Sequence, residues 1–272
     1  MTAATRLESA AGAWRVARYG VLDSTNEEAR RRALAGQSDQ LWIIAGEQTA
    51  GRGRRGRDWI SPRGNLHATA LMIDPCPPAL APQLGFVAGV ALARAASDLG
   101  AVDVGLKWPN DMLSGAKCAG VLVEGIVPAS RRAAYAAGIG VNCAYAPEGL
   151  GYPTSRLVGV SGQAIGAGEL FERLAERFDE ALAIWRGGQG FDRVRAAWLD
   201  SAVGLGDPVA VDTGSGRREG VFEGIDTGGR LLMRSWRGLE SIEAADLTLV
   251  PRFDVARPTA PVSSRTFEGG AR

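Results

Sequence analysis

Histidine is almost absent from this 272-residue chain: His67 stands alone, and there are only three cysteines, Cys76, Cys118 and Cys143. No Cys-x-x-Cys pair occurs, so the ligand sets of structural zinc sites are missing. An excess of one charge is missing too. The 31 basic and 30 acidic residues leave a formal net charge of +1, which argues against general binding to nucleic acid or membrane. A local basic patch is still allowed. No apolar run approaches the length of a membrane span. Residues 1–13 mix small, charged and apolar types without the apolar stretch of a secretory signal. A reducing cytoplasm is the expected compartment.

What is present suits one large domain or a main domain with a small appendix. Hydrophobic residues make up 46% of the chain, enough to bury a sizeable core. Residues 1–13 read as a flexible leader. Trp14–Leu22 alternates as a strand would, and Ser24 with Glu27 fits a capping box that opens a helix ending at Gly36. Leu41–Gly46 and Asn65–Ile73 predict strands. Pro82 suits the first turn of a helix reaching about Leu99. Val102–Trp108 predicts a strand that Pro109-Asn110-Asp111 breaks, and Cys118–Glu124 and Ala133–Val141 predict two more. In Gly168–Trp185 the residues Leu170, Leu174, Phe178, Leu182 and Trp185 share one helical face, and a shorter helix follows from Phe191 to Leu199. Residues 14–202 form the main domain on this pattern. From residue 203 to 251, four strand-like runs separated by Gly/Asp turns, including the hairpin signal Asp226–Gly229, predict a small β module. Residues 252–272 are polar with Pro and Gly, the composition of a disordered tail.

Gly51–Gly56 reads GRGRRG, a literal match to G-x-G-x-x-G. The dinucleotide fingerprint requires a helix after the loop. Here Pro62 and Gly64 come next, then another strand, so Asp74 at the distance of a ribose-binding acid is a coincidence. Glycines let backbone N–H groups approach an anion. Arg52, Arg54, Arg55 and Arg57 supply forked donors for carboxylate or phosphate. From this loop alone, a solvated basic loop or an RNA contact fits equally well.

Four further segments join it: Asp23-Ser24-Thr25-Asn26; Lys107-Trp108-Pro109-Asn110-Asp111; Gly115 to Glu124 (GAKCAGVLVE); and Gly138-Ile139-Gly140-Val141-Asn142. Together with GEQTAGRGRRGRDW, in this order and approximate spacing, they resemble the biotin–protein ligase family over about Trp14 to Val250. The resemblance implies an α/β fold: a mixed sheet with packed helices, followed by a small SH3-like β-barrel. It also implies two half-reactions. Biotin and MgATP give biotinyl-AMP and pyrophosphate, and the lysine of a biotin carboxyl carrier protein then takes the biotin and releases AMP. Mg²⁺ is expected with ATP, with no dedicated protein site for the metal. A winged-helix domain found in regulatory members has no counterpart before Ser24, so the chain resembles the single-function members, with no DNA partner. A monomer and a homodimer are both compatible with the sequence.

The resemblance also implies roles. Ser24, Thr25, Asn26 and Gln48 face the ureido ring of biotin, a group that needs both donors and acceptors; the plainer role of Ser24 is helix capping. Arg52, Gly53 and Arg54 form the core of the loop, contacting both biotin and nucleotide, with Arg55 beside them. Trp59 closes over adenine or is an ordinary packing aromatic. Lys117 is the main catalytic candidate, a cation at the biotin carboxylate where charge builds on the α-phosphoryl group, with Arg52, Lys107 and Asp111 assisting. Asn110 and Asn142 lie at the nucleotide end, and Gly120 and Gly138 line the biotin slot. Asp103, Glu47 and Glu124 carry little weight as catalytic acids, because adenylation needs no acid–base pair. His67 is expected to be packed, and Cys118 needs no role. Two alternatives stay open: a lipoate–protein ligase, and a nucleic-acid-binding protein using the arginine loop, which near-zero net charge disfavours.

Overall fold

The computed structural model describes residues 5–9, 12–128, 132–213, 216–243 and 245–249, and side chains from Trp14 onward. Eight strands form the main sheet: β1 (Thr5–Ser9), β2 (Gly12–Tyr19), β3 (Leu41–Ala45), β4 (Leu66–Ile73), β5 (Val104–Lys107), β6 (Asp111–Ser114), β7 (Ala116–Ile126) and β8 (Ala134–Val141). Their spatial order is β1-β2-β3-β4-β8-β7-β6-β5. Only β2 and β3 run parallel, and they are joined by helix α1 (Thr25–Leu34), as a parallel connection requires.

Alternation along the strands assigns the two faces. In β4 every residue is buried, yet the residues differ by parity. Leu66, Ala68, Ala70 and Met72 join the large core beneath α2 (Gln83–Asp98), α3 (Ala167–Trp185) and α4 (Phe191–Leu199). Leu71 and Ile73 join the smaller core under α1, with Ala29, Ala33, Leu41, Ile43, Ala134 and Ala136. His67 and Thr69 share that second face by parity, but they lie past the N-terminus of α1, where the helix no longer covers the sheet. The same switch runs across the neighbours: Ala134 and Ala136 of β8 give way to Gly138 and Gly140, which pair with Leu122 and Gly120 of β7. One helix therefore covers half of a sheet face, and small or polar residues floor the other half.

The C-terminal module is an antiparallel sheet of β9 (Pro208–Thr213), β10 (Gly216–Ile225), β11 (Leu231–Ser235), β12 (Gly238–Ile242) and β13 (Asp246–Leu249), ordered β12-β11-β10-β9-β13. Its hairpin at Asp226–Gly229 docks on α2 and on the turn after β5: Trp108 Nε1 donates to Gly229 O (3.1 Å) and Gln83 Nε2 to Thr227 O (3.3 Å).

Three expectations need correction, and one strand is added to them. The leader reading fails over Thr5–Ser9, which pairs with β2 as an edge strand; backbone ladder bonds hold it, and composition does not report those. Residues 1–4 and 10–11 of that leader and the tail at 252–272 lie outside the described residues. The expected break at Pro109-Asn110-Asp111 is present as a tight turn; the added strand is β6, which starts at Asp111 and pairs back on β5. The small module has five strands rather than four. β12 escaped notice because its two large apolar residues have opposite parity, Leu239 exposed and Ile242 buried, so the sequence shows no period-2 pattern. The capping box is half made: Ser24 Oγ accepts from Glu27 N (3.4 Å), but Ser24 N donates to Asp23 instead (2.7 Å).

A single buried side chain ties the end of β8 to the start of β4. Asn65 Oδ1 accepts from the backbone N–H groups of Cys143, Ala144 and Tyr145 (3.0, 3.0 and 2.9 Å), and its Nδ2 donates to Tyr145 O (2.8 Å). Asn65→Ala should cost about 3 kcal/mol by orphaning these groups, lowering Tm by roughly 6 °C or more. A thermal melt that moves by less than about 2 °C would remove Asn65 from this bracing role.

Candidate functional site

The uncovered half of the α1 face is a cleft with about 650 Å³ of empty space, open solvent included. It is lined at one end by Ser24, Thr25, Asn26, Gln48 and His67, at the other by Trp59, Lys117 and Tyr152, and along its rim by Arg52, Arg54 and Asn110.

The polar end is fixed by helix geometry. The first N–H groups of a helix lack intrahelical partners. Thr25 N and Thr25 Oγ1 both donate to Gln48 Oε1 (2.8 and 3.1 Å). Gln48 Nε2 donates in turn to Ser61 Oγ (2.8 Å), which donates to Trp59 O (2.8 Å). Beneath them the Thr69 hydroxyl donates to Asn26 Oδ1 (2.7 Å) and lies 2.8 Å from Thr25 Oγ1. Asn26 Nδ2 reaches Glu124 Oε2 (2.7 Å) and Leu122 O (3.3 Å). Asn26 therefore works mainly as a brace between α1 and the sheet. A Cβ at Gly138 would collide with its amide, which is why that position needs glycine.

At the other end Lys117 Nζ lies 2.9 Å from Asp111 Oδ1, and both side chains are 18% exposed. The ammonium also sits over the rings of Trp59 and Tyr152, 5.6 and 5.2 Å from their centroids. Trp59 rests on a glycine shelf: a side chain at Gly140 would clash with its indole, and one at Gly120 would press on it at 3.4 Å. Its buried Nε1 has no partner among the described residues. Lys107 lies beside Asp111 at the turn, and burial pulls its pKa below the usual lysine range. Cys118, next in sequence to Lys117, points the other way into the core, and burial pushes its thiol up to about 12, which makes it a poor nucleophile.

The arginine loop is not left unpaired. Arg52 meets Glu27 and Glu124 at 3.4 and 3.3 Å. Arg54 donates to Asn110 Oδ1 (3.0 Å), and burial lowers its pKa. Arg54, Arg55 and Arg57 then converge on one carboxylate, Asp246 of β13, at 3.7, 3.0 and 3.2 Å. Arg55 adopts a left-handed backbone (φ 57°) to turn that way.

Of the residues singled out from sequence, Ser24, Thr25, Asn26, Gln48, Arg52, Gly53, Arg54, Trp59, Asn110, Lys117, Gly120 and Gly138 all line the cleft. Asp111 reaches it through Lys117. Arg55 and Lys107 do not line it. Asn142 opens instead on a small adjoining pocket with Trp59 and Lys117, with its buried Oδ1 unpartnered. Glu47 pairs with Arg63 (3.2 Å) and, like Asp103, lies outside the cleft. Sequence reasoning undervalued Glu124 and missed Thr69 and Asp246. The parity of β4 and β7 could have flagged the first two; nothing local signals the third.

A family model described as the biotin/lipoate A/B protein ligase family matches residues 20–142. A biotin–[acetyl-CoA-carboxylase] ligase of Paracoccus denitrificans is 42% identical, the match covering 83% of this chain and 96% of that protein. One of Mycobacterium tuberculosis is 30% identical, covering 84% and 86%. Among solved structures, a biotin protein ligase from Aquifex aeolicus in complex with biotin and ATP superposes with a TM-score of 0.74 at 26% identity, covering 86% of this chain and 99% of the other. With the motifs in place around one cleft and this likeness over most of its length, the chain belongs to the biotin/lipoate A/B protein ligase family, in its biotin–protein ligase branch.

Proposed function

We propose that this protein is an ATP-dependent biotin–protein ligase that activates biotin as biotinyl-5′-AMP and passes it to a lysine of a biotin carboxyl carrier domain. The observation that carries this is the joining, in one cleft, of a hydrogen-bonding end built on Ser24, Thr25 and Gln48 to a cationic end built on Lys117 and the arginine loop. The polar end favours biotin over lipoate. A cyclic urea has N–H donors and a carbonyl acceptor, whereas the dithiolane ring of lipoate has neither, and buried polar groups left unmatched disfavour binding.

In the first half-reaction a carboxylate oxygen of biotin attacks the α-phosphorus and pyrophosphate leaves with the electron pair of the broken P–O bond. Lys117 faces the charge that builds on the α-phosphoryl oxygens and stabilises it more in the transition state than in the ground state. Asp111 holds that ammonium in place while the cleft is empty. Once phosphate oxygens take over Lys117, the Asp111 carboxylate is free to receive a proton from the incoming carrier amine. That amine attacks the acyl carbon, and AMP departs. Magnesium would travel with the triphosphate, whose oxygens supply its ligands. The arginine loop caps the intermediate, with Asp246 gathering its guanidinium groups. A cytoplasmic setting agrees with three free, buried thiols. No helix among the described residues is long and apolar enough to cross a membrane.

Pyrophosphate release with biotin, and its absence with lipoate, tests the assignment directly. Lys117→Ala should reduce biotin-dependent pyrophosphate release by at least about a hundredfold, as expected on losing a charge contact to the transition state, with an unchanged melting temperature. Turnover within a few-fold of the parent would end the catalytic role of Lys117.

Asp246→Asn should leave adenylate formation largely intact and loosen the loop. Three partly exposed ion pairs on one carboxylate are worth about 1–2 kcal/mol together, or roughly five- to thirtyfold in retention of the intermediate. Incubated with biotin, ATP and serum albumin, the variant should label albumin several times more strongly than the parent. Equal labelling at equal adenylate output would show that Asp246 does not help to hold the loop.

A further inference from the structure

His67 is the chain's one histidine, and it is packed in its strand as the sequence pattern suggests, on the cleft side of the sheet. It lies on the open half of the α1 face, paired across β4 with Ala45 and Gly140, and its ring lines the polar end of the cleft. The residue is 1% exposed. Its Nε2 is 3.1 Å from the carbonyl oxygen of Pro62. A carbonyl can only accept, so Nε2 carries the proton and Nδ1 carries a bare lone pair. Burial holds the imidazole pKa below its ordinary value, which keeps the ring in this neutral form near pH 7.

Among the described residues that lone pair has no partner: Nδ1 is buried and accepts no hydrogen bond. Trp59 Nε1, over the neighbouring Gly140, is itself unpartnered and does not bond Nδ1, and the donors of the polar end are already committed. Thr25 N and Oγ1 donate to Gln48 Oε1, Gln48 Nε2 to Ser61 and the Thr69 hydroxyl to Asn26. A buried, unmatched acceptor on a side chain that lines a ligand cleft is suited to a donor that the ligand brings. Biotin has N–H donors in one place, its ureido ring; its thioether has none, and its carboxylate is consumed in the reaction.

We propose that Nδ1 of His67 accepts a hydrogen bond from a ureido N–H of biotin, which makes His67 a specificity-determining residue of the slot. The proposal rests on the biotin reading given above and adds to it a partner for the ureido nitrogen. It also predicts a selectivity: a ring isostere that lacks the N–H leaves the lone pair buried and unmet, and is rejected beyond the loss of one contact.

A lone histidine makes the test direct. In an untagged, ¹⁵N-histidine-labelled chain, one pair of imidazole nitrogen signals reports His67. Calorimetry first establishes that biotin binds; if it does not, the biotin reading fails and the role of His67 falls with it. In biotin-saturated protein the unprotonated Nδ1 signal should move upfield, the direction of a new hydrogen bond, while the Nε2 signal stays. An unmoved Nδ1 signal in saturated protein overturns the proposal. His67→Gln supplies an independent arm, because its amide nitrogen takes the place of Nε2 toward Pro62 and nothing replaces Nδ1. It should keep the parent's melting temperature and weaken biotin binding about tenfold, the scale of one hydrogen bond. Biotin N-methylated at the contacting nitrogen should bind the parent at least tenfold more weakly than biotin, with little further loss in His67→Gln. Parent-like affinity in a folded His67→Gln variant, or fully additive losses, would also refute it. If that variant fails to fold, the nitrogen signals and the methylated analogue still decide the matter on the unaltered chain.

Discussion

The cleft depends on how the first turn of α1 is fastened to the sheet. A helix end abutting a sheet brings unpaired N–H groups into a buried place. Gln48 meets that demand by accepting from both the backbone and the hydroxyl of Thr25. Its amide is fixed in turn by Ser61. Asn26, wedged over Gly138 and held by Thr69 and Glu124, sets the distance between helix and sheet. These contacts are local and buried, so they position the ends of α1 and of the arginine loop together. With the helix stopped there, the face beyond it stays open, and Gly138 and Gly140 keep its floor low.

Charge in the cleft follows one pattern. Each cation that faces it is matched to a carboxylate set back from it: Lys117 to Asp111, Arg52 to Glu27 and Glu124, and the remaining loop arginines to Asp246. In the absence of an anion these pairs hold the cations without great cost. A phosphate or carboxylate entering the cleft competes for the same guanidinium and ammonium groups with more lone pairs and shorter reach. The site is thus pre-formed yet able to exchange partners, the property a two-step group transfer requires.

How much of this could be read beforehand follows from the range of the forces involved. Helix α3 announced itself because Leu170, Leu174, Phe178 and Trp185 recur at helical spacing and are buried as that spacing demands. The motif residues around Ser24, Gln48 and Lys117 were visible because each lies in a short segment of unusual composition. Glu124, Thr69 and His67 were discounted or missed for a different reason. Their meaning comes from strand register, which places Thr69 opposite Gly138 and His67 opposite Gly140, and register is not written in any one segment. Strand β6 is short and begins inside a motif that reads as a turn. Asp246 is a surface aspartate in sequence and becomes a partner of the loop only when β13 pairs with β9.

That last contact has a consequence for how the protein is made. Domains fold as they emerge, the N-terminal portion first. The main sheet, α1 and the arginine loop all leave the ribosome well before β13. Through that interval the loop presents its guanidinium groups with no Asp246 to gather them, next to the ribosome's own phosphates. The carboxylate that gathers the loop therefore arrives last, with the last of the described strands.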